Sequence, residues 1–292
     1  MYRKKLSKTC PILSGCSVVA KAALAPVIIG TLAAMGLMVG TASASVVYND
    51  TFARGTTTTP QNLANTAPSP TDSNSATWSV YLQQTSTDTF VTNGTEAVDN
   101  PVLNNGTTYG TADSAFLPVT LLANTAYTYS ATLTPLNPIG DDWVAMGFGN
   151  SALGGINNPD ALAWLIYRSN GGVNAFFGGG TSGGLSGKNT GKPTSTPDTF
   201  TITMTTNSSL TGFVVNFSDS IGVLNQTGSF TVATGKTLNS YVNSIVIGTG
   251  GGTNANFQNL ELTATAVPEP ATLGLVAIGG MALLLLKRRR TV

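Results

Sequence analysis

Thr199-Phe200-Thr201-Ile202-Thr203-Met204 alternates threonine with a large apolar residue at every step. Successive side chains of an extended chain point to opposite faces, so Phe200, Ile202 and Met204 share one face and the threonines the other. That is the period of a half-buried β-strand; a helix would scatter the same residues around its circumference. Threonine strengthens the reading, because branching at Cβ suits a pleated surface better than a helix.

Working outward, similar β-rich runs recur between turn clusters. Strands are predicted over residues 46–52, 77–82, 127–133, 143–148, 161–167, 173–177, 199–205, 212–217, 229–232, 244–247 and 257–265. Asn170-Gly171-Gly172 separates two of them and accepts the positive φ of a tight hairpin turn. Residues 55–75 are polar and carry prolines, which predicts a surface loop. Eleven short strands with no helical run between them call for an all-β sandwich.

The chain has 292 residues, two cysteines and no histidine. Both cysteines, Cys10 and Cys16, precede the body, so the body is predicted to contain no disulfide, thiolate nucleophile or cysteine metal site. From Ser45 to Val267 twelve acidic residues face only Arg54, Arg168, Lys188, Lys192 and Lys236, a net charge of −7 that the near-neutral whole chain conceals. An acidic surface with few cations is unsuited to a phosphate backbone, which argues against a nucleic-acid partner. Lack of histidine removes the usual general base and the ordinary serine triad. Glycoside hydrolysis needs two carboxylates held across one bond, but Glu96 and Glu261 are the only glutamates here and neither has an acid two residues on. The protein is therefore read as a non-enzyme.

Two terminal segments carry addresses. Arg3, Lys4, Lys5 and Lys8 precede an apolar core at residues 22–39 that ends in Ala42-Ser43-Ala44, the pattern of a signal peptide over 1–44 cut after Ala44. Leu13-Ser14-Gly15-Cys16 has lipobox character, but it lies before the apolar core rather than after it. At the other end Pro268-Glu269-Pro270 leads into sixteen uncharged residues, 271–286, followed by Lys287, Arg288, Arg289 and Arg290. As a helix those sixteen residues extend roughly 24 Å, enough to cross most of a hydrocarbon core. The four cations favour the cytoplasmic side and act as a membrane stop, leaving the body, 45–266, outside. Pro268 and Pro270 keep the junction extended and present Glu269 at the membrane surface.

Pro-Glu-Pro, an apolar helix and a terminal basic cluster, together spanning 267–292, resemble the PEP-CTERM sorting domain of Gram-negative bacteria that make exopolysaccharide. The resemblance implies recognition of Pro268, Glu269 and Pro270 by an exosortase-type membrane transpeptidase. Passage through the inner membrane on a transient anchor would then end at the cell surface or in the extracellular matrix. The body resembles the concanavalin A-like, or laminin-G-like, jelly roll at three places. Val47-Tyr48-Asn49-Asp50-Thr51-Phe52 is similar to its opening strand, Asp142-Trp143-Val144-Ala145-Met146-Gly147-Phe148 to a central strand of its concave sheet, and Asn256-Phe257-Gln258-Asn259-Leu260-Glu261-Leu262 to the closing strand that pairs with the first.

Sugars stack their apolar faces on aromatic rings while charged and amide groups take the hydroxyls. Trp143, Trp164, Tyr167, Arg168, Phe176 and Phe177, with Asp141, Asp142, Asn157, Asn158 and Asp160 on flanking loops, offer both parts; Asp141, Asp142, Trp143, Trp164 and Arg168 are the leading ligand-binding candidates, and exopolysaccharide is the ligand the resemblance suggests. The two tryptophans equally suit a sandwich core, and Arg168 a salt bridge. Asp141, Asp142 and Asp160, with Asn157 and Asn158, offer hard oxygen donors for calcium in the absence of a regular calcium-loop motif; no other cofactor is predicted. Two functions stand side by side: an exported carbohydrate-binding module, and a passive structural protein of the surface or biofilm.

Overall fold

The computed structural model describes residues 43–72, 75–82, 89–100, 113–136, 143–156, 161–179, 184–189, 195–250 and 254–268. The signal peptide up to Ala42, the sorting residues Glu269 and Pro270, and the apolar and basic tail lie outside them. Among the described residues no helix is long and apolar enough to cross a membrane.

Seventeen strands are described: β1 (Ser45–Asp50), β2 (Gln61–Asn62), β3 (Pro70–Asp72), β4 (Ser79–Tyr81), β5 (Thr89–Thr92), β6 (Ala97–Asn100), β7 (Ser114–Pro118), β8 (Thr125–Pro135), β9 (Trp143–Gly149), β10 (Ala163–Arg168), β11 (Gly172–Phe176), β12 (Leu185–Asn189), β13 (Asp198–Thr206), β14 (Gly212–Asp219), β15 (Asn225–Thr231), β16 (Ser244–Gly250) and β17 (Ala255–Ala266). All eleven predicted strands are among them. The six others were not anticipated, and two of these, β2 and β3, lie inside the stretch predicted as a plain surface loop.

The strands form two antiparallel sheets. The ten-stranded sheet runs β15-β14-β13-β8-β17-β6-β5-β2, with β1 pairing to β17 and β3 pairing to β1; the seven-stranded sheet runs β12-β11-β10-β9-β16-β7-β4. The opening and closing strands pair as the resemblance implied, with Asp50 opposite Leu260 and Ser45 opposite Ala264. β9 is the central strand of the smaller sheet. The core sits between the layers: Phe200, Ile202, Met204, Phe217 and Leu262 from the larger sheet meet Val144, Met146, Phe148, Leu165 and Ile247 from the smaller. β13 thus buries the face its alternation marked. β17 carries a bulge, since Asn259 and Leu260 fill a step that Ala131 alone occupies on β8; Asn259 absorbs it at φ 50°.

Between the sheets, Tyr129 is fully buried and its hydroxyl donates to the Val246 carbonyl at 3.1 Å. Burial lifts its pKa well above the ordinary 10.0. The Tyr127 pKa is raised as well, by burial, against hydrogen bonding from the Leu122 N–H that lowers it. The folded body therefore keeps a proton that the unfolded chain has already lost above pH 10. This stabilisation is complete below the unfolded value and drains away as pH rises through the folded one, by up to about 1.4 kcal/mol per pH unit per group. Tyr129→Phe should flatten the alkaline fall of stability measured by urea unfolding from pH 9 upward. An unchanged slope would place the titration elsewhere.

The ladders also give the sandwich a polarity. Ser45 of β1, Ala266 of β17 and Thr125 of β8 lie at one end, since Ser45 pairs with Ala264 and Ala266 with Thr125. On the smaller sheet Pro118, Ser244 and Gly149 share that end, tied to it by the Tyr48 hydroxyl donating to Pro118 O. Trp143, Arg168, Gly250 and Asp113 lie at the other. The body's chain enters and leaves at the first end.

Candidate functional site

β9 and β10 are apolar on both faces. Val144, Met146 and Phe148 point into the main core, so Trp143 and Ala145 point outward; Leu165 and Tyr167 point in, and Trp164 and Ile166 out. The two tryptophans therefore do not belong to the core between the sheets, as the core reading of the sequence held. They belong to a second apolar cluster on the outer face of the seven-stranded sheet, with Phe116, Ala145, Ile156, Ala161, Ile166, Val246 and Phe176. Ile156, after β9, and Ala161, before β10, pack on this face. Ile156 is fastened there by its N–H donating to Ser114 Oγ at 2.9 Å.

Three rings make a strip across β9, β10 and β11. Trp143 and Trp164 lie 6.2 Å apart at 60°, and Trp164 stacks on Phe176 at 4.5 Å and 24°. Glycine makes the strip possible. A Cβ on Gly147 would stand 2.3 Å from the Cβ of Trp164, and one on Gly250 would stand 2.1 Å from Cζ2 of Trp143. The Trp143 indole thus lies directly on the Gly250 backbone, and the Gly147 backbone approaches the Cα and Cβ of Trp164 more closely than any side chain would allow. Trp164 is 2 % exposed. Trp143 and Phe176, on either side of it, remain partly exposed.

Arg168 stands directly opposite Trp143 in the ladder, and Asn174 opposite Ile166. Both are partly exposed on the same outer face. The structure thus brings together Trp143, Trp164, Phe176 and Arg168 from the sequence prediction and adds Asn174, whereas Tyr167 points into the core between the sheets and Phe177 packs against that core. The other candidates, Asp141 and Asp142, and Asp160, Asn157 and Asn158 with them as the calcium donors, lie outside the described residues. Among the described residues no group of three or more acidic, cysteine or histidine side chains converges to hold a metal. Chemically, the face offers two accessible ring faces, a guanidinium and an amide.

A separate cavity of about 620 Å³ opens at the chain-entry end, bordered by Ser45, Tyr48, Val119, Leu122, Tyr127 and Ala264. No charged side chain lines it, and the sequence reading did not single it out.

Residues 266–290 match the PEP-CTERM protein-sorting motif, so the chain carries that motif at its C-terminal end. Among curated proteins, none matches the sequence. Solved structures similar to this chain include arcelin-5, a lectin-like defence protein from Phaseolus vulgaris (14 % identity over 64 % of this chain and 92 % of that one, TM-score 0.41). Lectin II from Ulex europaeus is 8 % identical over 77 % of this chain and 99 % of that one, with TM-score 0.41. The metal-free carbohydrate recognition domain of Emp46p is 12 % identical over 66 % and 89 %, with TM-score 0.41. At these identities the likeness is one of chain architecture.

Proposed function

We propose that the protein is exported, held briefly in the inner membrane by residues 271–286, and cut near Pro268-Glu269-Pro270 by an exosortase-type transpeptidase. The sandwich is thereby delivered to the cell surface or matrix, where it binds carbohydrate through the outer face of its seven-stranded sheet. The routing rests on the sorting motif at 266–290. The binding reading rests on one observation: Trp143 and Phe176 keep ring surface open on either side of buried Trp164, with Arg168 directly across from Trp143. Rings of this kind take the apolar face of a pyranose, and the guanidinium and the Asn174 amide suit its hydroxyls. The strip's Trp143 and Arg168 end is the end away from the chain exit, so attachment at Val267 leaves it unobstructed.

Immobilised exopolysaccharide from the host should retain the body, residues 45–266, and Trp143→Ala should lose most of that retention while melting near the wild-type temperature. Calcium, if Asp141, Asp142 and Asp160 hold it, should strengthen retention in a manner reversed by chelation. No retention with or without calcium overturns the binding reading and leaves the passive structural protein, a role that the burial of Trp164 suits equally. Unaltered processing of a Glu269→Ala variant on a blot overturns the routing.

A further inference from the structure

The sorting motif and the folded body share a residue. The motif begins at Ala266, and Ala266 is the last residue of β17, with no spacer between them. The next residue is fixed too, since the Val267 N–H donates to Asn124 O at 2.6 Å. A processing enzyme that grips an extended substrate needs backbone groups on both sides of the bond it cuts. On the N-terminal side of Pro268 those groups are already committed. Ala264 pairs with both Ser45 and Tyr127, Thr265 with Ala126, and Ala266 with Thr125.

This strand end is nonetheless lightly held. Leu260 and Leu262 are fully buried, but every residue from Thr263 to Pro268 is partly or fully exposed. Ser45 and Ala264 border the cavity at this end, and Ala264 is the last residue of the strand that packs against the core. Past Ala264 the strand also loses its β1 neighbour, because β1 starts at Ser45. Local opening takes the path with the fewest buried contacts, and here that path stops at Leu262.

We infer that residues 263–267 form the N-terminal half of the segment the exosortase grips, and that they leave the sheet for the cut, with Leu262 as the stop. The inference rests on the exosortase routing proposed above. It extends the recognised segment from the Pro-Glu-Pro motif into the body, and it makes processing depend on release of a strand end.

Ala126 and Thr265 face each other across β8 and β17 and are both partly exposed. The body has no cysteine of its own, so Ala126→Cys with Thr265→Cys introduces a single cross-strand bridge. Ser45→Cys with Ala264→Cys, also facing pairs, provides a second lock. Processing of full-length chain in host membranes is then followed by blot, with bridging scored by loss of thiol labelling. The bridged form should be processed at least about ten-fold more slowly than the same protein after reduction. Each single-cysteine variant should behave as wild type. A flexible Gly-Ser spacer between Ala266 and Val267 should restore processing of the bridged form. Equal rates for bridged and reduced protein overturn the inference, as does a spacer that fails to restore them. Glu269→Ala run alongside separates the two ideas: if it blocks processing and the locks do not, only strand release is lost, whereas if Glu269→Ala has no effect the exosortase routing itself falls.

Discussion

Replacing Asp50 by alanine is expected to destabilise the body by about 3–5 kcal/mol, the usual cost of leaving a buried charge without its partner. Asp50 is fully buried at the end of β1, and its two oxygens are shared among five donors. Oδ1 accepts from the Phe52 N–H at 2.8 Å, Arg54 Nη1 at 3.1 Å and the Ser69 N–H at 3.4 Å. Oδ2 accepts from Arg54 Nη2 at 2.8 Å and Trp78 Nε1 at 2.8 Å. One side chain thus pins four residues of the segment between β1 and β4: Phe52, Arg54, Ser69 and Trp78. It also offsets a local cost: Phe52 is fully buried at φ 54°, a conformation that side chains other than glycine's rarely adopt, and its N–H is held by Asp50. Arg54 closes the arrangement by lying 5.9 Å above the Phe52 ring and donating to Ala67 O at 2.7 Å.

Without the carboxylate, the indole N–H and the Phe52 and Ser69 N–H groups would lose their acceptor together, and the guanidinium would be left with Ala67 O. The midpoint of a thermal melt should fall by about 10 °C or more for a body of this size. Asp50→Asn, which keeps an acceptor but not the charge, should fall between alanine and wild type. The whole core lies between Tyr48 and Leu262, so residues 45–266 suffice for the measurement. A loss under about 1 kcal/mol would mean that the network contributes no more than an exposed pair.

None of this clamp was legible in the sequence. Asp50 read as one more residue of the predicted strand 46–52 and Arg54 as one of the body's five cations, and Trp78 lies 28 positions from its acceptor. Alternation reports which face of a strand is buried but cannot announce a contact between segments so far apart. The same limit explains the missed strands. Gln61–Asn62 and Pro70–Asp72 are too short to show a period, Leu185–Asn189 contains glycine and serine, and Ser114–Pro118 is buried at four successive positions and so does not alternate. Where one face of a strand is polar the period was sufficient, as in β13. In β9 and β10 both faces are apolar, so Trp143 and Trp164 could be recognised as important without their side of the sheet being known. Gly147 lay inside one predicted strand and Gly250 beyond the end of another, with nothing in the sequence to tie either to a tryptophan. Their purpose emerges only from the register that sets Trp164 beside Gly147 and Trp143 beside Gly250.

That register makes a sharp prediction for the two tryptophans. Trp164→Ala should cost about 3–5 kcal/mol, the range for emptying a large buried aromatic site. The indole is almost fully enclosed, stacked on Phe176 and tilted against Trp143, and the close backbone of Gly147 leaves no neighbouring side chain able to refill the space. Trp164→Phe retains a ring against Phe176 and should recover roughly half of that loss. Trp143 is partly exposed at the rim of the same strip, so its truncation should cost distinctly less stability while removing the ring surface offered to a ligand. Urea unfolding of the three variants, set beside their retention on polysaccharide, separates packing from recognition. If Trp164→Ala unfolds near the wild-type midpoint yet loses retention as completely as Trp143→Ala, the central indole itself meets the ligand, and Ile156 and Ala161 must move aside to admit it.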